Sequence, residues 1–472
     1  MNFSWTVFVD LGLISCALLL STALRARVRF FQRYLVPNAL SAGFLLLPFY
    51  NFLAPRLGLS SAGLSDLIYH LLSLSFIAMS LRKVPPRRAG RNILATGVVI
   101  TASFTLQGIL GIGLTLLLMV TLLPGLFPGF GLLVPLGFEL GPGQAHAIGI
   151  GWEALGFPGA GSVALTFAAF GFLWACFGGV FLINLGVRRG WLDRRARSGM
   201  QNRTLRTGVH DPGEELPEGA RLTTETEAID SMSFNLAVVL AVYLLTFLLL
   251  KLVTSLLSGL GTEGQELAVN LWGISFIFAA LLALAIKGIA SFLRIDHVLD
   301  NGSLSRIAGT AVDVLVAAAV GAISLVVVGR YWPAILCLGI PAGILTMAYI
   351  LWVSSRLFRD HQFQRAVMFY GASTGTLPTG LALLRVIDPE FETPVAVDYM
   401  YGSGIAFFLV IPYILALNFP AYGYIRGEPR FYWLFAGLIV AYLLVLVLLY
   451  RLLAGRSAFA RPQQIWIPPH RR

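Results

Sequence analysis

Eleven stretches of this 472-residue chain are long and apolar enough to cross a lipid bilayer. A spanning helix needs roughly 20 mainly apolar residues. The runs that qualify are about 5–24, 34–54, 64–81, 92–123, 159–187, 233–257, 265–286, 309–329, 331–353, 394–418 and 431–450. Inside hydrocarbon every backbone N–H and C=O must be satisfied within the protein, so such runs fold as packed helices. Only 12% of the residues are charged, against about 25% in soluble domains. The first run contains Asp10 and has no Lys or Arg before it, so it reads as a span and not as a cleaved leader. Cys16, Cys176 and Cys337 stand singly in apolar runs, without metal or redox spacing.

The basic residues set an orientation. Segments 25–33, 82–91, 188–221, 287–306, 354–365 and the tail from Arg451 hold 28 of the 34 Lys and Arg residues. With eleven spans all six segments fall on one side, and basic loops stay cytoplasmic. The expected topology is a multi-pass inner-membrane protein with its N-terminus outside and its C-terminus in the cytoplasm. The net charge of +11 then belongs to one membrane face and implies no nucleic-acid partner. The polar stretch 188–232 reads as a cytoplasmic linker. It separates a first half, 1–187, from a second, 233–420; an additional span (431–450) and a tail (451–472) follow. Five spans per half is an odd number, so related halves would lie inverted in the membrane.

Between its fourth and fifth spans each half carries a glycine-rich stretch. The first, about 129–158, includes GFELGPGQAHAIGIGWEALGFPG; the second, about 366–390, is AVMFYGASTGTLPTGLALLRVIDPE. A constant shift pairs Gly149 with Gly380 and Pro158 with Pro389. Gly costs about 1 kcal/mol per helical position and Pro about 3, so neither stretch suits an ordinary spanning helix. Both remain apolar, and one more crossing would invert every later basic loop. A re-entrant hairpin satisfies both constraints, because irregular backbone survives at membrane depth where it lines a cavity or packs in protein. Freed N–H and C=O groups there can hold a carboxylate or a cation. The competing reading is that the glycines only permit close helix packing; two such stretches in matching places favour a translocation site. Gly141 and Gly143 at one tip, and Gly371 and Gly375 at the other, allow close backbone approach. Pro142 and Pro378 stop either tip from winding into helix. The tips are expected to meet near mid-membrane and share one ligand.

Ionisable groups at membrane depth are costly and usually face a pathway. Between Arg91 and Arg188 the only acids are Glu139 and Glu153, with His146 between them. Glu139 is the leading candidate for Na⁺ coordination or proton coupling. His146 can titrate near neutral pH or be fixed in one tautomer by packing. Glu153 marks the outer end of its hairpin. Asp313 and Asp398, each four residues into a span, are further Na⁺ candidates, since hard cations take oxygen ligands. Asp313 can equally pair with a base at the cytoplasmic rim. Arg385 is a basic residue within a hairpin, and its fork can grip a carboxylate or pair with Asp388 or Glu390.

The chain resembles the bacterial sodium/glutamate symporter family over most of residues 25–418. The likeness is clearest in RYLVPNALSAGFLL (33–46), QGILGIG (107–113), the first hairpin and STGTLPTGLA (373–382). It implies an all-α polytopic membrane protein built from two inverted five-helix repeats, each with a re-entrant hairpin; here one extra C-terminal transmembrane helix is added. It also implies a homodimer and Na⁺-coupled symport of a small carboxylate such as glutamate, by alternating access of a moving domain. Na⁺ is then the coupling ion, and no other cofactor is implied. On matching positions Gly141, Gly143, Gly375, Pro378 and Thr379 become substrate- or ion-lining residues. Gln144, His146, Thr374, Thr376 and Arg385 complete the expected substrate-binding set. The departures are Pro142, Gln144 and His146 in the first tip, and Arg385, the run Asp388/Glu390/Glu392 and the eleventh span in the second half. A proton-coupled transporter of another small solute is the alternative. A membrane-embedded enzyme is a poorer one, since no DDxxD, HExxH or P-loop pattern occurs.

The orientation can be checked with single cysteines placed in 188–230 and after Arg451. They should resist an impermeant maleimide in intact cells and react after permeabilisation; labelling in intact cells would overturn the topology.

Overall fold

The structure, a computed structural model, describes residues 5–83, 90–192, 203–210, 214, 218–259, 271–272, 274–388, 392–428 and 430–467. In chain order the main helices are α1 (Thr6–Arg27), α2 (Asn38–Pro48), α3 (Ala62–Leu81), α4 (Arg91–Thr121), α5 (Phe130–Leu140) and α6 (Pro142–Glu153). They continue with α7 (Ala160–Arg188), α8 (Ser231–Ser258), α9 (Ser275–Phe292), α10 (Asn301–Gly321) and α11 (Leu325–Leu357). The last are α12 (Gln362–Thr374), α13 (Leu377–Ile387), α14 (Val395–Ala416) and α15 (Arg430–Ala454). Among the described residues there is no strand, and ten helices are long and apolar enough to cross a membrane.

The differences from the expected spans have local causes. The second, 34–54, is helical throughout most of its length but not uniformly α. After Pro48 it passes into a π turn (Phe49–Leu53) and a 3₁₀ turn (Ala54–Leu57). Proline removes one N–H and crowds the preceding turn, so the hydrogen-bond register slips. The expected eighth span, 309–329, instead starts at Asn301, because the Asp300 carboxylate accepts the Ser303 N–H at 2.6 Å and caps the polar first turn. It ends at Gly321, and Ser324 opens α11. The seventh expected run, 265–286, corresponds to Ser275–Phe292; its part over 265–270 lies outside the described residues.

The helices sort into two bodies. α1, α2 and α3 pack with α8, α9 and α10, the first three spans of each half; this is the framework. α4, α7, α11 and α14 pack together with the short pairs α5/α6 and α12/α13, and α15 lies along α4. The two bodies touch where α6 rests on α3 and α10. Gly143 makes that approach possible, since a Cβ there would lie 2.7 Å from Leu72 Cδ1. Leu240, Leu244 and Leu248 of α8 are exposed at the periphery, where a bilayer removes the cost of contact with water.

The segment after α15 folds back over the base of α12. Arg356, wholly buried at the end of α11, donates to the carbonyls of Ala460 (3.2 Å), Arg461 (2.9 Å) and Gln464 (2.6 Å). Its guanidinium lies 4.4 Å from the Trp352 ring. Trp466 then inserts between Trp191 and Phe363, with ring centroids 4.9 and 5.8 Å away.

Asp300 also accepts the Arg221 N–H at 3.2 Å and so ties the linker to α10. Burial pushes its carboxyl up, but the N–H groups of Ser303, Arg221 and Gly302 outweigh this and hold it below 3.8. Asp300→Ala should therefore lower unfolding stability by about 1 kcal/mol, read as a lower Tm in detergent. Because the folded value is the depressed one, the wild-type advantage is present above pH 3.8 and shrinks as the pH falls below it. An unchanged Tm at neutral pH would refute the capping role.

Candidate functional site

Each hairpin is two short helices joined at a break. Between α5 and α6 stands Gly141 with φ +93° and ψ 177°, a conformation that side chains resist. Pro142 then opens α6, where its missing N–H costs nothing. The Phe127 and Phe157 rings stack at 4.9 Å, so the chain leaves this pair beside the point where it entered. In the second hairpin Gly375 and Thr376 separate α12 from α13, and Pro378 lies in the first turn of α13. Its arms touch at two glycines: a Cβ on Gly371 would lie 2.9 Å from Gly380 Cα. Gly375 has φ −120°, so it answers a need for space and not for handedness; a Cβ there would be 3.0 Å from the Gly371 carbonyl oxygen.

The two breaks meet. A Cβ on Gly141 would lie 3.0 Å from Thr376 Cγ2, and the Thr374 carbonyl packs directly against Gly171 of α7. Gly141 thus faces the Gly375–Thr376 break, a register three to four residues away from the shift that pairs Gly149 with Gly380.

Glu139 stands two residues before Gly141, and Ser373 two residues before Gly375. Both Glu139 carboxylate oxygens are buried without a hydrogen-bond partner, as are Ser103 Oγ, Ser373 Oγ and Gln107 Oε1. The Ser103 and Ser373 hydroxyls lie against the carboxylate, outside the geometry of a hydrogen bond. Gln107 spends its Nε2 on Thr346 Oγ1 (2.9 Å) and on the Ser373 carbonyl (3.0 Å), leaving Oε1 without a donor. An orphaned buried acceptor costs about 1–3 kcal/mol, more if charged, and native proteins leave few of them. Here several gather where α4, α5 and α12 converge. One carboxylate with neutral oxygens is the donor set of a hard monovalent cation. Among the described residues no three His, Cys, Asp or Glu side chains gather as a metal site.

The other expected residues are placed as follows. Asp398 is buried and receives Arg365 Nη2 at 2.8 Å; the wholly buried Arg365 also reaches Asp360 at 3.1 Å. Its negative charge is thus matched by a guanidinium. Asp313 lines a cavity of about 130 Å³ between the two bodies, together with Arg25, Thr376, Pro378, Thr379 and Cys176. Cys176 lies within a π turn of α7, Trp174–Gly178. Arg385 is exposed in the last turn of α13, about 12 Å along the helix from Leu377 at 1.5 Å per residue; it is not at the tip. Asp388 instead accepts the N–H groups of Glu392 (2.9 Å) and Thr393 (3.2 Å), and Glu390 lies outside the described residues. Gln144 and His146 are buried in α6. The His146 ring packs at Gly161, with neither nitrogen partnered. Glu153 accepts the Gly161 N–H at 3.1 Å and fastens the start of α7. Thr374 turns its hydroxyl back to the Tyr370 carbonyl at 2.8 Å. A larger hollow of about 930 Å³, walled by Pro412, Trp433, Leu438 and Val445, is an open groove along α14 and α15 away from the breaks.

Sequence reasoning missed Ser103, Gln107, Ser373 and Arg25. The first three are single neutral residues in apolar or glycine-rich runs. Arg25 opens a basic run, where it reads as an orientation signal.

Two helix breaks thus touch beside an oxygen cluster and a cavity between two helical bodies. The family model for the sodium/glutamate symporter matches residues 4–393, and the chain belongs to that family. No curated protein and no solved structure matches the chain. Helices α14 and α15 and the folded-back tail lie beyond the matched region.

The Arg365–Asp398 pair gives a stability test. Arg365→Met leaves a buried carboxylate without its guanidinium and should cost about 3–5 kcal/mol, whereas a fully apolar pair restores much of it. Thermal unfolding should therefore rank Arg365→Met well below both the wild type and the double variant Arg365→Met/Asp398→Leu. A single variant as stable as the wild type would remove the pair from the fold's essential contacts.

Proposed function

We propose that the chain is a Na⁺-coupled symporter of a small carboxylate such as glutamate, in which the hairpin body moves against the framework. The observation that carries this reading is the orphaned oxygen cluster of Glu139, Ser103, Ser373 and Gln107. A bound Na⁺ would compensate the Glu139 charge and draw α4, α5 and α12 together. Without it the body would carry an uncompensated buried carboxylate across the membrane, which is strongly disfavoured. That difference between the loaded and empty states is what couples the ion to the movement.

Cargo fits the 130 Å³ cavity beside the second break, where Thr376 and Thr379 offer hydroxyls and Arg25 a guanidinium. The start of α13 adds the positive end of a helix dipole. In this reading the hairpins are re-entrant, the halves are inverted, the basic loops are cytoplasmic, and two copies associate through the framework so that the hairpin body stays free. Of the three expected cation carboxylates, Glu139 takes the role. Asp398 is engaged by Arg365, and Asp313 faces the cargo cavity.

Uptake of labelled glutamate, aspartate and dicarboxylates into proteoliposomes tests this. A Na⁺ gradient should drive uptake. Glu139→Gln should lower apparent Na⁺ affinity at least about tenfold, the loss of one charge-assisted contact, in a protein that still folds. Unchanged Na⁺ dependence in that variant would remove Glu139 from the site. Uptake driven by a pH gradient without Na⁺ would select a proton at the same carboxylate instead.

A further inference from the structure

The cargo cavity has two unlike walls. The wall from the hairpin body is neutral: Thr376, Pro378, Thr379 and Cys176. Both formally charged lining residues, Arg25 at the end of α1 and Asp313 on α10, belong to the framework. Arg25 is held in place by carbonyls, donating from Nε to Arg206 and from Nη1 to Val36, each at 3.2 Å. At about 130 Å³ the space is below the roughly 300–1,000 Å³ of sites for drug-sized ligands, so its occupant is small and within reach of both walls.

From this division we infer that Arg25 and Asp313 form a one-sided binding step. They touch a small carboxylate cargo only while the second break faces the basic side of the membrane, and they lose it when the hairpin body moves. The inference rests on the symport reading, because it needs one body to carry the cargo away from the other. Arg25 receives a carboxylate, and Asp313 receives a hydrogen-bond donor on the same molecule, such as an ammonium group. A contact made in only one state shifts the equilibrium between states by its own free energy. The affinities at the two faces therefore differ, and the difference resides in the framework. The short helix Arg203–Thr207 supplies the Arg206 carbonyl, so the linker between the halves helps to aim the guanidinium.

The test measures KM for L-glutamate separately on each face of sided proteoliposomes, for wild type, Arg25→Gln and Asp313→Asn. At the face bearing the basic loops, Arg25→Gln should raise KM about tenfold, the size of one lost charge-assisted hydrogen bond. At the opposite face KM should stay within about twofold, well inside the scatter of a single contact. An equal change at both faces would place Arg25 with the moving body, and no change at either would remove it from the cargo; both overturn the inference. Wild-type vesicles that move glutamate in neither orientation count against the symport reading itself. A crosslink between Arg25→Cys and Thr379→Cys, made in a background lacking Cys16, Cys176 and Cys337, needs no cargo and still decides the matter. A disulfide that forms and locks access to the basic side supports the one-sided step. A disulfide that leaves the opposite side accessible, or failure to form one in folded protein, overturns it.

Discussion

A break in a membrane helix exposes backbone donors and acceptors that hydrocarbon cannot satisfy. Two such breaks, at Gly141 and at Gly375–Thr376, lie among the described residues, and each is buried against the other. Much of the surrounding architecture follows from that choice. Gly171 is bare because the Thr374 carbonyl needs its space, and Gly371 and Gly380 are bare because the arms of the second hairpin must touch. Gln107 reaches across from α4 to take the Ser373 carbonyl. The breaks persist because several elements share the work of surrounding them.

The same closeness creates the site. Placing residues 139 and 373 just ahead of the two breaks brings a carboxylate and a hydroxyl from different halves of the chain to one point, against Ser103 of α4. Neither half completes the cluster alone. The cavity between the two bodies likewise takes its hydroxyls from one body and its charges from the other. The oxygen cluster and the cavity lie on elements that converge at the second break, so in the proposed reading occupancy of one would bear on the shape of the other.

Much of this architecture is legible in the sequence, because a bilayer imposes a length and a polarity on every span. Boundaries are less so. Asp300 starts α10 eight residues before the apolar run does, since a side-chain cap can support a polar first turn. Glu139 stands out as one of two acids in a long apolar stretch, whereas Ser103, Gln107 and Ser373 matter only through proximity that no single residue announces. The Arg365–Asp398 pair spans 33 residues, and without it Asp398 reads as an open ligand. Arg385 misleads for a simpler reason: eight residues of helix carry it from the tip to the base.

The folded-back tail bears on how the molecule is made. The Phe363 end of α12 is closed by Trp466, and the buried Arg356 is held by the carbonyls of Ala460, Arg461 and Gln464. A ribosome delivers these closing residues about a hundred positions after the helices they seal. During synthesis the second hairpin is therefore complete in its own residues yet open at its foot, with Arg356 lacking these three acceptors. Final closure awaits the emergence of α15 and the turn behind it, so the quality of this corner reports whether translation has run past residue 466.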